Sequence, residues 1–518
     1  MAKTPSLKLF RLIKSLSPTE RRYFKVSVNP TGDKSNKYAL LFDAIYEQEE
    51  YDDEALQEIV YPGEHIESRK FSELKAYLYD TILNALQSYD EKTSIEYRLK
   101  KYLLDVKVLF KRSLYPECAI RIQKAKKFCT EYEEFGHLIE LLRWEKELAY
   151  ARTDIDFLDG HLEEISAQEQ LALHQLDLQT TYRNLFLQLL VELRKDVSRS
   201  KEQKERLKKL YEHRYITEAP ENMGFWARIY YLRFLSLYQF SISDLNRFYD
   251  SSKELVHTFE SKPEFLKEDV SEYISAINNH VISCGNLEKL DEVKYNLEKL
   301  KGIRPITGDD QLKIHRQYYM NIFRLCIETG DFERGLQELE SHQKEIQKFE
   351  KAAFEKGNFY FQYFTIYFAN GAFDLALEYL NQWLNMSKNV ERQDLQALSR
   401  VLNLIIHFEM KNYVLLQSLI RSTKRYLTKE KRIYQFESYI MDFLNQIDEI
   451  TGKKKQKQLL EKLRGKLSGL ENEKREATMM RYFNFQAWVD SKIEQVSFSE
   501  AVQTDFRNRT IAKGISGE

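Results

Sequence analysis

The stretch Tyr367-Phe368-Ala369-Asn370-Gly371-Ala372-Phe373-Asp374-Leu375-Ala376 reads as the end of one helix, a short polar turn and the start of the next. Gly371 suits a left-handed turn position, and apolar and small residues resume at helical spacing after Phe373. The same design occurs at Thr329-Gly330-Asp331-Phe332-Glu333-Arg334-Gly335 and at Lys411-Asn412-Tyr413-Val414-Leu415-Leu416. The turn aromatics Phe332, Phe373 and Tyr413 are 41 and 40 residues apart. A fixed step of that size is the signature of stacked helical hairpins.

Upstream of this stretch, polar turns recur near Tyr115, Phe157, Leu245 and Leu287, with gaps of 42, 88 and 42, and 45 residues then lead to Phe332. The gap of 88 counts as two steps, so a further turn is expected near Ser200, where Val197-Ser198-Arg199-Ser200 breaks the apolar pattern. A step near 42 holds two helices of about 18 residues plus loops, each helix roughly 27 Å long. Downstream, Lys453 to Glu476 is highly charged, with a narrow stripe of Leu459, Leu460, Leu463, Leu467 and Leu470. Tyr482, Phe483, Phe485, Trp488, Val489 and Ile493 then predict an aromatic helix that seals the last repeat, because an open stack of repeats needs a cap.

The first ninety residues have a different grain. A helix through Leu7, Phe10, Leu12, Ile13 and Leu16 stops at Ser17-Pro18, where Ser17 is an expected N-cap with Glu20 completing a capping box. Further short helices are expected before Asn29, from Lys37 and over Asp53 to Val60, followed by a long one carrying Phe71, Leu74, Leu78, Ile82, Leu83 and Leu86. The chain therefore divides into a small helical module over 1–92, a helical-repeat solenoid over 93–470, capping helices over 471–504 and a polar tail over 505–518. The module has the grain of a helix-turn-helix unit.

Composition agrees with an all-α fold. Glycine and proline number 17 and 8 in 518 residues, about 5% against roughly 12% in an average protein. Turns are thus scarce and elements long. The 33 tyrosines and 31 phenylalanines suit the wedges between antiparallel helices, where a ring is buried and a hydroxyl stays wet. Basic and acidic residues balance at 79 and 80, so bulk charge calls for neither nucleic acid nor membrane. No apolar run long enough to cross a bilayer occurs, and insertion into a membrane is not expected. Cys118, Cys129, Cys284 and Cys326 lack metal-like clustering, and a reduced, cytoplasmic setting is expected.

The 367–376 stretch resembles a tetratricopeptide repeat. Tyr367, Gly371, Phe373, Ala376 and Leu380 fill the five places of that pattern. The preceding repeat supplies Gly330, Phe332, Gly335 and Leu339 but has Cys326 in place of the first aromatic. The following one keeps Tyr413 and Ile420, with Asn412 and Leu416 where small residues are usual. The step here is longer than that family's. The resemblance implies a right-handed α-solenoid whose first helices line a concave, partner-binding groove. It places Gln317, Asn321 and Arg324 there in one repeat, and Asn358, Phe361, Gln362 and Thr365 in the next. Amides can hydrogen-bond an extended peptide and Arg324 can clamp a carboxylate. The opening Ser15-Leu16-Ser17-Pro18-Thr19-Glu20-Arg21-Arg22-Tyr23-Phe24-Lys25 also resembles the start of bacterial helical-repeat proteins of similar length, a likeness that brings no activity with it.

No zinc-protease helix, cysteine pairs, nucleophile elbow or dinucleotide fingerprint occurs. The ten histidines are scattered singly, without a close i, i+4 pair. The sequence thus predicts no catalysis, no metal, no cofactor and no small-molecule substrate. The expected function is a non-enzymatic scaffold for a protein or peptide. The alternative is a nucleic-acid-associated regulator in which Lys8, Arg11, Lys14, Arg21, Arg22 and Lys25 meet phosphates while the repeats sense a partner. Arg194 to Lys209 and Lys453 to Lys466 are further basic runs.

Overall fold

The fold is seen in a computed structural model that describes residues 7–29, 33, 35–64, 66–91, 94–195, 201–267, 269–349, 357–385, 393–429, 434–447, 452–470, 473, 476 and 479–512. Among the described residues there is no strand, and consecutive helices pack on their neighbours, an all-α arrangement of repeated elements. The chain forms two compact units, residues 1–242 with 257–269, and residues 243–256 with 270–518.

The first unit opens with five helices, α1 (Lys8–Ser15), α2 (Pro18–Val28), α3 (Lys37–Glu47), α4 (Asp53–Val60) and α5 (Ser68–Asp90). They bury their own core around Leu9, Ile13, Phe24, Phe42, Ile45, Leu56, Phe71, Leu78 and Ile82. The capping box expected at Ser17 is formed. The Glu20 amide donates to Ser17 Oγ at 3.3 Å and the Ser17 amide to Glu20 Oε2 at 2.7 Å.

There follow α6 (Ile95–Lys111), α7 (Tyr115–Glu131), α8 (Phe135–Ala151), α9 (Ile155–Lys195), α10 (Lys201–Tyr211), α11 (Arg214–Thr217) and α12 (Phe225–Ser241). Tyr115 opens a helix as expected. The region after Phe157 differs from expectation: a hairpin was due there, and one helix of 41 residues stands in its place. Its sequence explains this, since neither glycine nor proline occurs between Gly160 and Lys195, and leucine, glutamine and glutamate favour continuation. The turn expected near Ser200 falls outside the described residues.

The second unit takes the first part of α13 (Leu245–Ser261), then α14 (Ser271–Asn286), α15 (Leu290–Lys301), α16 (Gly308–Thr329), α17 (Phe332–Glu345), α18 (Gly357–Ala369), α19 (Phe373–Asn385), α20 (Gln393–Glu409), α21 (Tyr413–Lys429), α22 (Gln435–Leu444), α23 (Lys453–Ser468), α24 (Phe485–Glu494) and α25 (Phe498–Ala512). Phe332, Phe373 and Tyr413 each open the second helix of a hairpin. First helices of successive hairpins also touch, α14 on α16, α16 on α18 and α20 on α22.

One corner geometry recurs. Ser113, Glu133, Thr153, Ser243, Glu288, Gly330, Gly371 and Lys411 all have φ between +52° and +77°. At Ser113, Thr153, Glu288, Gly371 and Lys411 two backbone bonds close the helix end. The amide of the left-handed residue donates to the carbonyl three back, and the next amide to the carbonyl five back. That pairing satisfies the orphan carbonyls of a helix C-terminus.

The C-terminal helices cover more than the last hairpin. Trp488 on α24 packs against Phe408 and Phe443, and its Nε1 donates to Glu409 at 2.7 Å. Phe498 on α25 packs against Phe332, Phe368 and Phe483. Ser499 and Gln503 donate to the Gly330 carbonyl, both at 3.0 Å. The helix α25 runs on through Asp505, where composition alone suggested the onset of a tail.

Candidate functional site

The polar strip expected along α16 and α18 is drawn into the packing of one hairpin on the next. Asn321 Nδ2 donates to Asn278 Oδ1 on α14 at 2.8 Å and to the Gln317 carbonyl at 2.7 Å. Arg324 donates to Glu328 on its own helix and to Asn286 on α14 at 3.3 Å. Gln362 Nε2 donates to the Met320 carbonyl at 2.8 Å, again across neighbouring helices. Phe361 and Thr365 are buried, the ring against Trp383 and the hydroxyl on the Phe361 carbonyl. Gln317 is half-buried, and the side chain of Asn358 lies outside the described residues. The void beside Asn321 and Arg324 is about 10 Å³, room for one water at most. The amides recur at the hairpin step, and adjacent first helices lie close enough for them to meet each other.

The basic N-terminal residues divide. Lys14 donates to the Tyr46 carbonyl at 2.6 Å, Arg21 lies 4.2 Å over the Tyr46 ring, and Lys25 pairs with Asp43 at 2.5 Å. These three tie α1 and α2 to α3. Lys8, Arg11 and Arg22 are exposed.

A groove of about 540 Å³ runs between the C-terminal part of α9 and α10. Asn184, Leu187, Gln188, Val191 and Glu192 line one wall, and Arg206, Lys209 and Leu210 the other. Leu187 is 44% exposed and Val191 46%, one helical turn apart on the same face. Two contacts bridge its walls: Arg206 pairs with Glu192 at 2.7 Å, and Gln203 donates to the Glu192 carbonyl at 2.9 Å. Its volume lies within the usual range of ligand sites.

Two buried polar networks lie in the second unit. In one, His315 and His342 share a 3.0 Å hydrogen bond, His342 meets the Tyr363 hydroxyl, and Glu345 faces His315 at 3.3 Å. Burial, with His315 beside it, pushes His342 down to about 3, and burial also lowers His315 although Glu345 opposes this. In the other, His280 and Cys284 stand one turn apart on α14 and meet Glu292 from α15. Burial pushes His280 down to about 4, and burial with the Glu292 charge pushes Cys284 up to about 12.

No family model, curated protein or solved structure matches the chain.

Two features of these sites escape a reading by motif. The His280-x-x-x-Cys284 pair is a helical i, i+4 pair, but a search for paired histidines or paired cysteines passes over it. The groove's signal is Leu187 and Val191, two apolar residues off the buried face of α9, just ahead of the basic run from Arg194 to Lys209. The third member of the histidine cluster, Glu292, comes from the next helix and has no sequence signal of its own.

Proposed function

We propose that this chain is a non-enzymatic helical-repeat scaffold, of tetratricopeptide-like construction, that holds a protein or peptide partner. The observation that carries this reading is the groove between α9 and α10, where Leu187 and Val191 stay nearly half exposed beside Lys209. Such a surface suits a helical segment with apolar residues one turn apart and a carboxylate beside them. The amide strip on α16 and α18, expected to hold the partner, is engaged in hairpin-to-hairpin hydrogen bonds, so the binding surface is assigned to α9 and α10 instead.

Affinity purification from a native lysate, with mass spectrometry, tests the reading. The full chain should recover a defined protein, and a Leu187→Asp/Val191→Asp variant of unchanged melting behaviour should recover at least tenfold less. Equal recovery by the variant would remove the groove from the proposal. Absence of any partner would remove the scaffold role. Binding to generic DNA or RNA at low salt would instead favour the nucleic-acid alternative through Arg11 and Arg22, since phosphate attraction is strongest there.

A further inference from the structure

We propose that His280, Cys284 and Glu292 form a binding site for a divalent cation of the zinc class. Three donor atoms converge from two helices: Cys284 Sγ lies 3.6 Å from His280 Nε2 and 3.8 Å from Glu292 Oε2, and His280 Nε2 lies 3.9 Å from Glu292 Oε2. A tetrahedral ion with bonds of about 2.0–2.3 Å sets its donors roughly 3.3–3.8 Å apart. The triangle is therefore already close to one face of such a coordination shell. Nitrogen, thiolate and carboxylate together suit zinc or its cobalt surrogate better than magnesium or calcium.

The surroundings orient each donor. Ser252 Oγ is 3.0 Å and Ser283 Oγ 3.3 Å from His280 Nδ1. These hydroxyls reach the Tyr249 and His280 carbonyls at 2.9 Å and 2.8 Å. The two hydroxyls are also 2.8 Å apart, so when Ser252 donates to Ser283 and Ser283 to the His280 carbonyl, Ser252 Oγ is left to accept from Nδ1–H, and the Nε2 lone pair faces the sulfur and the carboxylate. That is the arrangement by which metal-bound histidines are held. Tyr249 donates its hydroxyl to Glu292 and fixes the carboxylate. Lys289 balances the other carboxylate oxygen at 3.5 Å, and its part-exposed side chain can turn to solvent when a cation takes over that charge. Glu292 is 39% exposed, so water can reach the fourth position.

The hairpin corner builds the site. The left-handed Glu288 and the bonds from Glu288 and Lys289 back to Gly285 and Cys284 turn the chain tightly after α14. Glu292 is thereby returned to the height of Cys284. Among the described residues this is the one place where three or more such donors come together. Cys118, Cys129 and Cys326 are buried as well, and among the described residues no such donor set surrounds them. Ion binding converts the Cys284 thiol to a thiolate ligand and releases its proton to solvent.

The test uses the full chain, stripped with chelator and titrated with Co²⁺. One ion per chain should bind with a near-ultraviolet thiolate-to-cobalt charge-transfer band, which Zn²⁺ then abolishes by displacement. Cys284→Ser should lose the band. Glu292→Gln, at a part-exposed position that leaves the core intact, should weaken binding at least tenfold. Ser252→Ala should weaken it about 10- to 100-fold through the histidine's orientation. Circular dichroism melts establish that each variant is folded. Failure of the unmodified chain to bind either ion, or equal binding by the folded Cys284→Ser and Glu292→Gln variants, would overturn the proposal.

Discussion

Two glycines that look alike in the sequence do different things. Gly330 and Gly371 both sit at hairpin corners with φ of +77° and +73°. A Cβ on Gly371 would meet nothing within 4 Å, whereas one on Gly330 would lie 2.8 Å from Gln503 Cγ and 2.9 Å from the Gln503 amide nitrogen. Gly371→Ala should therefore cost only the left-handed penalty, about 1 kcal/mol. Gly330→Ala should cost roughly 2–4 kcal/mol, because α25 must also move. Denaturant unfolding of the two variants checks the order, and equal costs would contradict the docking of α25 on this corner. A local pattern, Gly followed by an aromatic, made both corners visible, but only the fold distinguishes them. The other described corners carry Ser113, Glu133, Thr153, Ser243, Glu288 and Lys411 in the same conformation. Most of these are legible from polar turns at the hairpin step, whereas the corner at Glu133 falls between the steps at Tyr115 and Phe157 and carries no such mark.

At the level of helices, hydrophobic spacing carried most of the information. The small residue expected at 376 is fully buried on α19, and Gly335 on α17 stands against Cys326 and Ile366, where a Cβ would come within 3.3 Å of the cysteine. Ala376→Trp should cost roughly 1–3 kcal/mol by prising the hairpin apart, and an unchanged denaturant midpoint would contradict the packing. The aromatic helix α24 was legible from its rings. Its anchor was not: Glu409, 79 residues away in sequence from Trp488, accepts both the indole N–H and Lys492 at 2.6 Å. Glu409→Ala leaves a buried donor unmet and a lysine unpaired, with an expected loss of about 2–3 kcal/mol. Glu409→Gln should restore part of it. Site residues were hardest to read for the same reason. Asn321 and Gln362 have the chemistry to bind a peptide, and only the neighbouring helix shows that each bonds to the hairpin before its own.

For the molecule as a whole, acid should be destabilising through the second unit. His342 is fully buried against His315, Tyr319, Phe359 and Tyr363, with Glu345 and Lys348 near His315. Burial holds its folded value near 3, below the ordinary value of about 6.5 in an unfolded chain. The unfolded state therefore takes up the proton first, and stability falls as pH drops from about 6.5 towards 3, by up to about 1.4 kcal/mol per unit. Denaturant melts across that window should show the slope, and His342→Gln should reduce it, leaving the part that His280, His315 and His407 contribute, which burial also holds low. Truncation before Phe498 tests the other whole-chain feature. It should expose Phe332, Phe368 and Phe483, forfeit about 1.5–3 kcal/mol for the Phe498 ring alone and raise binding of an apolar dye. Within the first unit the corner at Glu133 has a consequence of another kind. Its carboxylate accepts the Phe225 amide and pairs with Lys262 at 2.5 Å. A glycine there would relax the backbone but lose both partners. An L-residue there costs about 1 kcal/mol relative to glycine, which the two bonds made by Glu133 offset. The bend after α7 thus doubles as a bridge, carrying one carboxylate to the first residue of α12 and to Lys262.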